Sequence, residues 1–293
     1  MMRKKPMLAY PVSDKPIDYD KPVFIQPKLD GVRCLIQAEG LTPYNDSDPT
    51  SHGFVVKAYS RTGKKWKNIN HILKELIPFF EKHPNVILDG ELYNHELKND
   101  FEKIISLVRK TKPTDEDRLE SKEMVQFHCY DTIMEHMPFD QRIEFVMNEL
   151  RDSASVRTVE TLQTDEANAH FIHTMNKENG YEGSIVRTNG TYQCKRSHNL
   201  RKFKDFSDAE AYIVGYEEGK GKRTGTLGKF IMQDEDGNKF GCPPGKGYNY
   251  KDMKEMLSNI HEYMGQTATF TYFERTKAGS YRHPHYKCIR NYE

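Results

Sequence analysis

Between Phe24 and Ile36 two strand-like runs meet at Lys28-Leu29-Asp30-Gly31. Asp-Gly between apolar runs is a strong local hairpin signal, because a type I′ turn needs positive φ at both central residues. The stretch predicts an antiparallel hairpin over residues 23–38, with Lys28 at a strand end. A lysine so placed is either a solvated side chain beside a tight turn or a nucleophile. The second requires nearby cations or desolvation to drive its ammonium to the amine.

Further along, residues 53–60 read as a strand behind the polar loop Thr42–Thr50, and residues 69–80 carry apolar side chains at helical spacing. A short buried strand is expected at 85–88, a helix at 101–108, a charged loop at Lys110–Lys122 and a strand at 124–130. Pro138 suits the first turn of a helix reaching Leu150, and Thr164 caps another that stops at Gly180. Strands at 184–187 and Leu200–Phe206 complete the region.

From Ala209 the texture changes to five short strand-like runs with one helix at 250–263, which suits a small Greek-key barrel of the OB type. The expected fold class is therefore α+β, with antiparallel sheets and flanking helices over 1–206 and an OB-fold barrel over 207–293.

The formal net charge of +1 advertises no nucleic-acid partner by itself, so local clustering must carry that reading. No apolar run is long enough to span a bilayer. The five cysteines are scattered without the paired spacing of zinc sites, and a reducing cytoplasm is the expected location.

Nucleotidyl transfer needs a nucleophile in line with phosphorus, metal ions on the phosphate oxygens, and cations for the spreading charge. Glu91, in Asp89-Gly90-Glu91, ends a buried strand and could hold Mg²⁺; the alternative is a solvated turn acid. Glu182, in Tyr181-Glu182-Gly183, repeats the pattern, with an ordinary loop acid as its alternative. The segment Lys195–Lys204 carries five positive charges and no acid. On a strand, Lys202 and Lys204 would share a face and could neutralise a phosphate; a solvated basic face is the competing view. Arg61 stands at a strand end, where a plain turn is the alternative, and Tyr130 is either a purine-stacking ring or a core tyrosine.

Lys28-Leu29-Asp30-Gly31-Val32-Arg33 resembles the Lys-x-Asp-Gly-x-Arg motif of the covalent nucleotidyltransferases: ATP-dependent DNA ligases, RNA ligases and messenger-RNA capping enzymes. The other elements follow in that superfamily's order, and the chain looks most like minimal ATP-dependent DNA ligases of phages, viruses and bacteria. Only 27 residues precede Lys28, which favours that branch.

The resemblance implies adenylylation of Lys28, with ATP and Mg²⁺ or Mn²⁺ as cofactors and nicked duplex DNA as the partner of a monomer. Gln26, Asp30 and Arg33 would join Lys28 around the nucleotide. Arg61 would meet the nucleotide or a 5′ phosphate, Glu91 the ribose or metal, Tyr130 the adenine face, Glu182 the metal, and Lys202 and Lys204 the α-phosphate. Arg61, Arg196, Lys222, Arg223 and Arg282 would contact DNA, with Thr42–His52 and Lys110–Lys122 as candidate DNA-touching loops. The closing Arg-x-Asp-Lys motif is incomplete, since no lysine follows Arg290. An RNA ligase or capping-type enzyme, and a clamp without catalysis, remain the alternative readings.

Overall fold

The computed structural model describes residues 4–40, 53–98, 100–204, 207–245, 247–272, 274–275 and 279–290. The chain divides into two compact units, Met1–Phe203 and Lys204–Glu293. The loop Thr42–His52 and residues 205–206 lie outside the described residues.

In chain order the first unit contains β1 (Leu8–Pro11), β2 (Val23–Pro27), β3 (Val32–Glu39), β4 (Val55–Tyr59), α1 (Asn70–Glu75), α2 (Ile77–Lys82) and β5 (Ile87–Tyr93). There follow α3 (Phe101–Val108), α4 (Asp115–Met124), β6 (Gln126–Thr132), α5 (Phe139–Glu149), β7 (Val156–Thr158), β8 (Leu162–Thr164), α6 (Glu166–Glu178), β9 (Ser184–Thr188) and β10 (Arg196–Phe203). The strands form two sheets, ordered β1-β10-β9-β2-β8 and β4-β3-β5-β6-β7.

That division overturns the expected hairpin. β2 pairs with β8 and β9, whereas β3 pairs with β4 and β5, so Leu29–Gly31 is a crossing from one sheet to the other. Gly31 is not among the glycines with positive φ. Its need is close approach: a Cβ there would run into the Leu92 carbonyl oxygen and lie 2.7 Å from Glu91 Cγ.

Alternation along the strands builds the layers. Leu35 joins Met7, Ile133, Tyr192 and Leu200 in a cluster shared by both sheets. Its neighbours Cys34 and Ile36 face the larger core with Ile72, Phe80, Ile104, Leu107 and Val146 of the helices. Val23, Ile25 and Val186 pack with Ala169 of α6 on the outer face of the first sheet.

Several helical expectations change: the cap expected at Thr164 is Asp165, and the run expected at 250–263 divides at Asn259. Pro78 removes a backbone donor, and the run expected at 69–80 breaks at Leu76 into α1 and α2. The expected loop Lys110–Lys122 contains most of α4, nucleated by a capping box in which Thr114 and Asp117 satisfy each other's backbone N–H groups.

The second unit contains β11 (Ser207–Glu218), β12 (Leu227–Gln233), β13 (Lys239–Cys242), α7 (Tyr250–Ser258), α8 (Ile260–Tyr263), β14 (Thr267–Tyr272), β15 (Glu274–Arg275), β16 (Tyr281–Arg282) and β17 (His285–Ile289). Its main sheet runs β13-β12-β11-β14-β17, antiparallel throughout, around a core that includes Ile213, Phe230, Met232, Phe270 and Tyr286. This is the α+β architecture with an OB-like barrel expected from the sequence. Among the described residues no helix is long and apolar enough to cross a membrane.

Candidate active site

Lys28 follows directly on β2, whose pairing with β9 extends past the ladder. The Lys28 N–H donates to the Gly183 carbonyl at 2.9 Å, and the Glu182 N–H donates to the Lys28 carbonyl at 3.1 Å. The two side chains are thereby neighbours, and the Lys28 ammonium forms an ion pair with the Glu182 carboxylate. Gly183 is required here: its φ is +144°, and a Cβ would collide with the Phe203 carbonyl oxygen of β10. A nucleophilic Lys28 needs nearby cations or desolvation; here the ammonium is paired with an acid whose side chain is only 5% exposed.

Beside this pair lies a cavity of about 210 Å³ whose lining includes Gln26, Lys28, Arg33, Arg61, Glu91, Tyr130 and Lys202. Arg33 is set by Asp89, which accepts its Nε at 2.6 Å and also the Tyr192 hydroxyl at 2.6 Å. Glu91 stands on β5 opposite Arg33 of β3, and its carboxylate accepts the Tyr130 hydroxyl at 3.1 Å. Burial pushes the Glu91 carboxyl up to about 7, against the lowering pull of Arg33 and Lys28. The Tyr130 ring has the Arg33 guanidinium at 5.1 Å and that of Arg187 at 5.5 Å.

Residues 6–204 match the family described as ATP dependent DNA ligase domain, and residues 218–290 match the DNA ligase OB-like domain. The chain belongs to the ATP-dependent DNA ligase family. A DNA ligase of African swine fever virus (isolate Pig/Kenya/KEN-50/1950) is 31% identical over 216 residues, 69% of this chain and 46% of that protein. The DNA ligase of Enterobacteria phage T6 is 25% identical, covering 89% of this chain and 62% of its own length. The chain thus spans about half the length of the first of these curated relatives. Among solved structures, one from a study of Lig E DNA ligases superposes with a TM-score of 0.74 at 22% identity, covering 99% of this chain and 100% of that one. The bacteriophage T7 ATP-dependent DNA ligase in complex with ATP superposes with a TM-score of 0.55 at 17% identity, covering 98% of each chain. At those identities the likeness is one of fold.

The lining of the Lys28 cavity does not include Asp30, Arg196, Lys204, Lys222, Arg223 or Arg282. Asp30 is outside the cavity lining; its charge adds to burial and to Tyr181 in raising the Tyr93 phenol. Lys204 was expected on the same strand face as Lys202, but β10 ends at Phe203 and Lys204 is the first residue of the second unit. Sharing a face by alternation requires the strand to include Lys204, and β10 stops one residue short of it. Arg196 opens β10, donates to the Ala9 carbonyl and lies 5.6 Å from the Tyr10 ring. Lys222 and Arg223 sit exposed in the turn Gly221–Arg223 of the second unit, Arg282 pairs with Glu274 across β16 and β15, and Arg290 forms an ion pair with Glu210.

Arg187, not among the expected site residues, also lines the cavity. Its Nε donates to Gln26 Oε1 at 2.7 Å and its Nη1 to Asp131 Oδ2 at 2.6 Å; Asp131 also accepts Arg142 Nε at 2.7 Å. Gln26 in turn donates to the Tyr130 carbonyl and to Thr161, so its amide organises the wall while lining it. The available signal was an arginine next to Val186 in a short apolar strand, a placement that demands a buried acid.

Among the described residues no group of three or more His, Cys, Asp or Glu side chains could hold a metal alone. Glu91 and Glu182 both act on Lys28 and offer hard oxygen donors of the kind that suit a divalent cation.

Proposed function

We propose that this chain transfers AMP from ATP to Lys28 and uses it to seal nicks in duplex DNA. The observation that carries the reading is the convergence on one cavity of Lys28, Arg33, Glu91, Tyr130 and Lys202, with Glu182 on the lysine.

Lys28 Nζ, once it has left Glu182 and lost a proton, attacks the α-phosphorus; a P–N bond forms and the P–O bond to pyrophosphate breaks. Lys202 and Arg61 stabilise charge that spreads over the phosphate oxygens. Tyr130 and Gln26 form the wall against which the adenosine end rests, with Glu91 in reach of a ribose hydroxyl. A divalent ion held by Glu91 and Glu182 would supply further charge neutralisation. A 5′-phosphate oxygen of the nick then attacks the AMP phosphorus and the P–N bond breaks, returning the amine. The 3′-hydroxyl finally attacks the 5′-phosphorus, releasing AMP and leaving a phosphodiester. The Arg142–Asp131–Arg187–Gln26 chain holds the wall rigid, which limits the reorganisation needed during transfer.

Incubation with ATP and Mg²⁺ should add the mass of one adenylyl group, and Lys28→Ala should abolish the gain. A retained label moves the nucleophile elsewhere. Labelling by GTP, or sealing of nicked RNA in preference to nicked DNA, would replace the DNA-ligase reading by the capping or RNA-ligase one.

A further inference from the structure

Met7, Arg33, Asp89 and Tyr192 close a ring of hydrogen bonds beside the Lys28 cavity. The Met7 N–H donates to Tyr192 Oη at 2.8 Å, and the Tyr192 hydroxyl donates to Asp89 Oδ2 at 2.6 Å. Asp89 accepts Arg33 Nε at 2.6 Å and pairs with its Nη2, while Nη2 also donates to the Met7 carbonyl at 3.2 Å. The four residues come from four places: the lead into β1, then β3, β5 and the segment between β9 and β10. Met7 and Tyr192 are buried with Leu35, Ile133 and Leu200, and Asp89 is fully buried, so little water competes for these bonds.

A buried phenol needs a partner for its hydroxyl, and Tyr192 has one on each side, accepting from Met7 and donating to Asp89. With Nε and Nη2 of Arg33 engaged in the ring, Nη1 is the one guanidinium nitrogen without a hydrogen-bond partner among the described residues. Arg33 lines the cavity, 5.1 Å from the Tyr130 ring, so Nη1 is what its rigid fork can offer a ligand. Met7, held at both its N–H and its carbonyl, fixes the segment whose next residues, Leu8 and Ala9, line the same cavity. The Tyr192 ring is braced in turn by Arg142, whose guanidinium lies 5.5 Å from it and donates to the Gly190 carbonyl at 3.0 Å. A phenylalanine at 192 would fill the same space and keep that brace, but would leave the Met7 N–H without its acceptor and Asp89 short of one donor.

We propose that Tyr192 is a positioning residue of the transfer site: through Asp89 its hydroxyl aims the Arg33 guanidinium at the nucleotide, and through the Met7 N–H it holds the Leu8–Ala9 wall of the same cavity. The inference rests on the function proposed above and adds to it a residue that touches neither the nucleotide nor Lys28.

The test uses Tyr192→Phe in the full chain, with single-turnover labelling by ATP and Mg²⁺ over a range of ATP concentrations. Arg33 would hold the nucleotide both before and during transfer. The ATP concentration that gives half the maximal labelling rate should therefore rise about tenfold, the scale of one hydrogen bond to a charged group, while the maximal rate stays within about threefold. A purely structural loss would lower the fraction of chains labelled and move neither constant, and that result overturns the proposal. Arg33→Lys keeps a cation for Asp89 but drops the fork, so adding Tyr192→Phe to it should change the half-saturating ATP by less than about twofold; two additive losses would overturn the action through Arg33. Exchange of the Met7 amide hydrogen should quicken in Tyr192→Phe, and unchanged protection would overturn the hold on the Leu8–Ala9 wall. If the parent chain takes up no AMP, the ligase reading fails on its own. ATP affinity by calorimetry then decides the proposal: a tenfold weakening in Tyr192→Phe supports it, and no change overturns it.

Discussion

Lys28 and Glu182 are joined twice, by a backbone hydrogen bond of 3.1 Å from the Glu182 N–H to the Lys28 carbonyl and by an ion pair between their side chains. The backbone link means that neither residue can shift without the other. In the proposed reaction the acid that holds the ammonium would also face the incoming phosphate, and nucleotide binding would exchange one partner of Glu182 for another.

Replacing Glu182 by Ala removes that exchange. Adenylylation of Lys28 should slow by on the order of 10²-fold, the scale of losing one electrostatic group from a transfer site. Single-turnover labelling with ATP measures it. A rate within about threefold of the parent would remove Glu182 from the site.

Gly31→Ala tests the crossing between the sheets. The added Cβ has the backbone oxygen of Leu92 and the Cγ of Glu91 in its way, and a backbone carbonyl does not step aside as a flexible side chain does. Overpacking of this kind costs about 1–3 kcal/mol. The melting temperature should fall by several degrees, with adenylylation reduced because Glu91 is displaced. An unchanged melt would show that the two sheets have slack at this point.

Asp131→Asn keeps the shape of a side chain that accepts from both Arg142 and Arg187 and takes away its charge. Two buried guanidinium groups then lose their counter-charge, at a cost of about 3–5 kcal/mol. Urea unfolding followed by near-ultraviolet circular dichroism would measure the loss. A change below about 1 kcal/mol would mean that water reaches the network.

Glu91 makes a pH prediction whose sign follows from linkage. Its carboxyl holds a proton to about pH 7 when folded, against an ordinary 4.5. Between those values the folded chain binds the proton and the unfolded chain does not, so this group lowers stability as pH rises, and the effect is complete above pH 7. Buried His128 acts oppositely, because burial and Arg157 lower its imidazole from 6.5 to about 4. Stability from that group rises with pH across the interval. The net profile is consequently shallow, and the comparison to make is Glu91→Gln against the parent. The variant should gain in melting temperature from pH 5 to pH 7.5; a difference independent of pH would mean that Glu91 ionises normally.

The order of the chemistry-bearing segments was legible in the chain, because each is local: a lysine at a strand end, a carboxylate next to glycine at 90–91 and 182–183, and a basic run before Lys202. The barrel was legible too, since its strands bury alternate residues, as β11 does with Ala211 and Ile213 while Tyr212 and Val214 are exposed. Local composition misled where a longer contact outweighed it. Asp30-Gly31 carries the signal of a hairpin turn, yet β2 and β3 each find better partners in separate sheets.

By itself the sequence determined which side chains are available for transfer chemistry and that the chain has a mixed unit followed by a barrel, because side-chain type and strand or helix period are properties of neighbouring residues. Tertiary structure alone decided that Gly31 is needed for closeness, that Lys28 meets Glu182 across 154 positions, and that Arg187 reaches Asp131 across 56. Those are relations between strands in different places, and no local pattern encodes which strand a given one will lie beside.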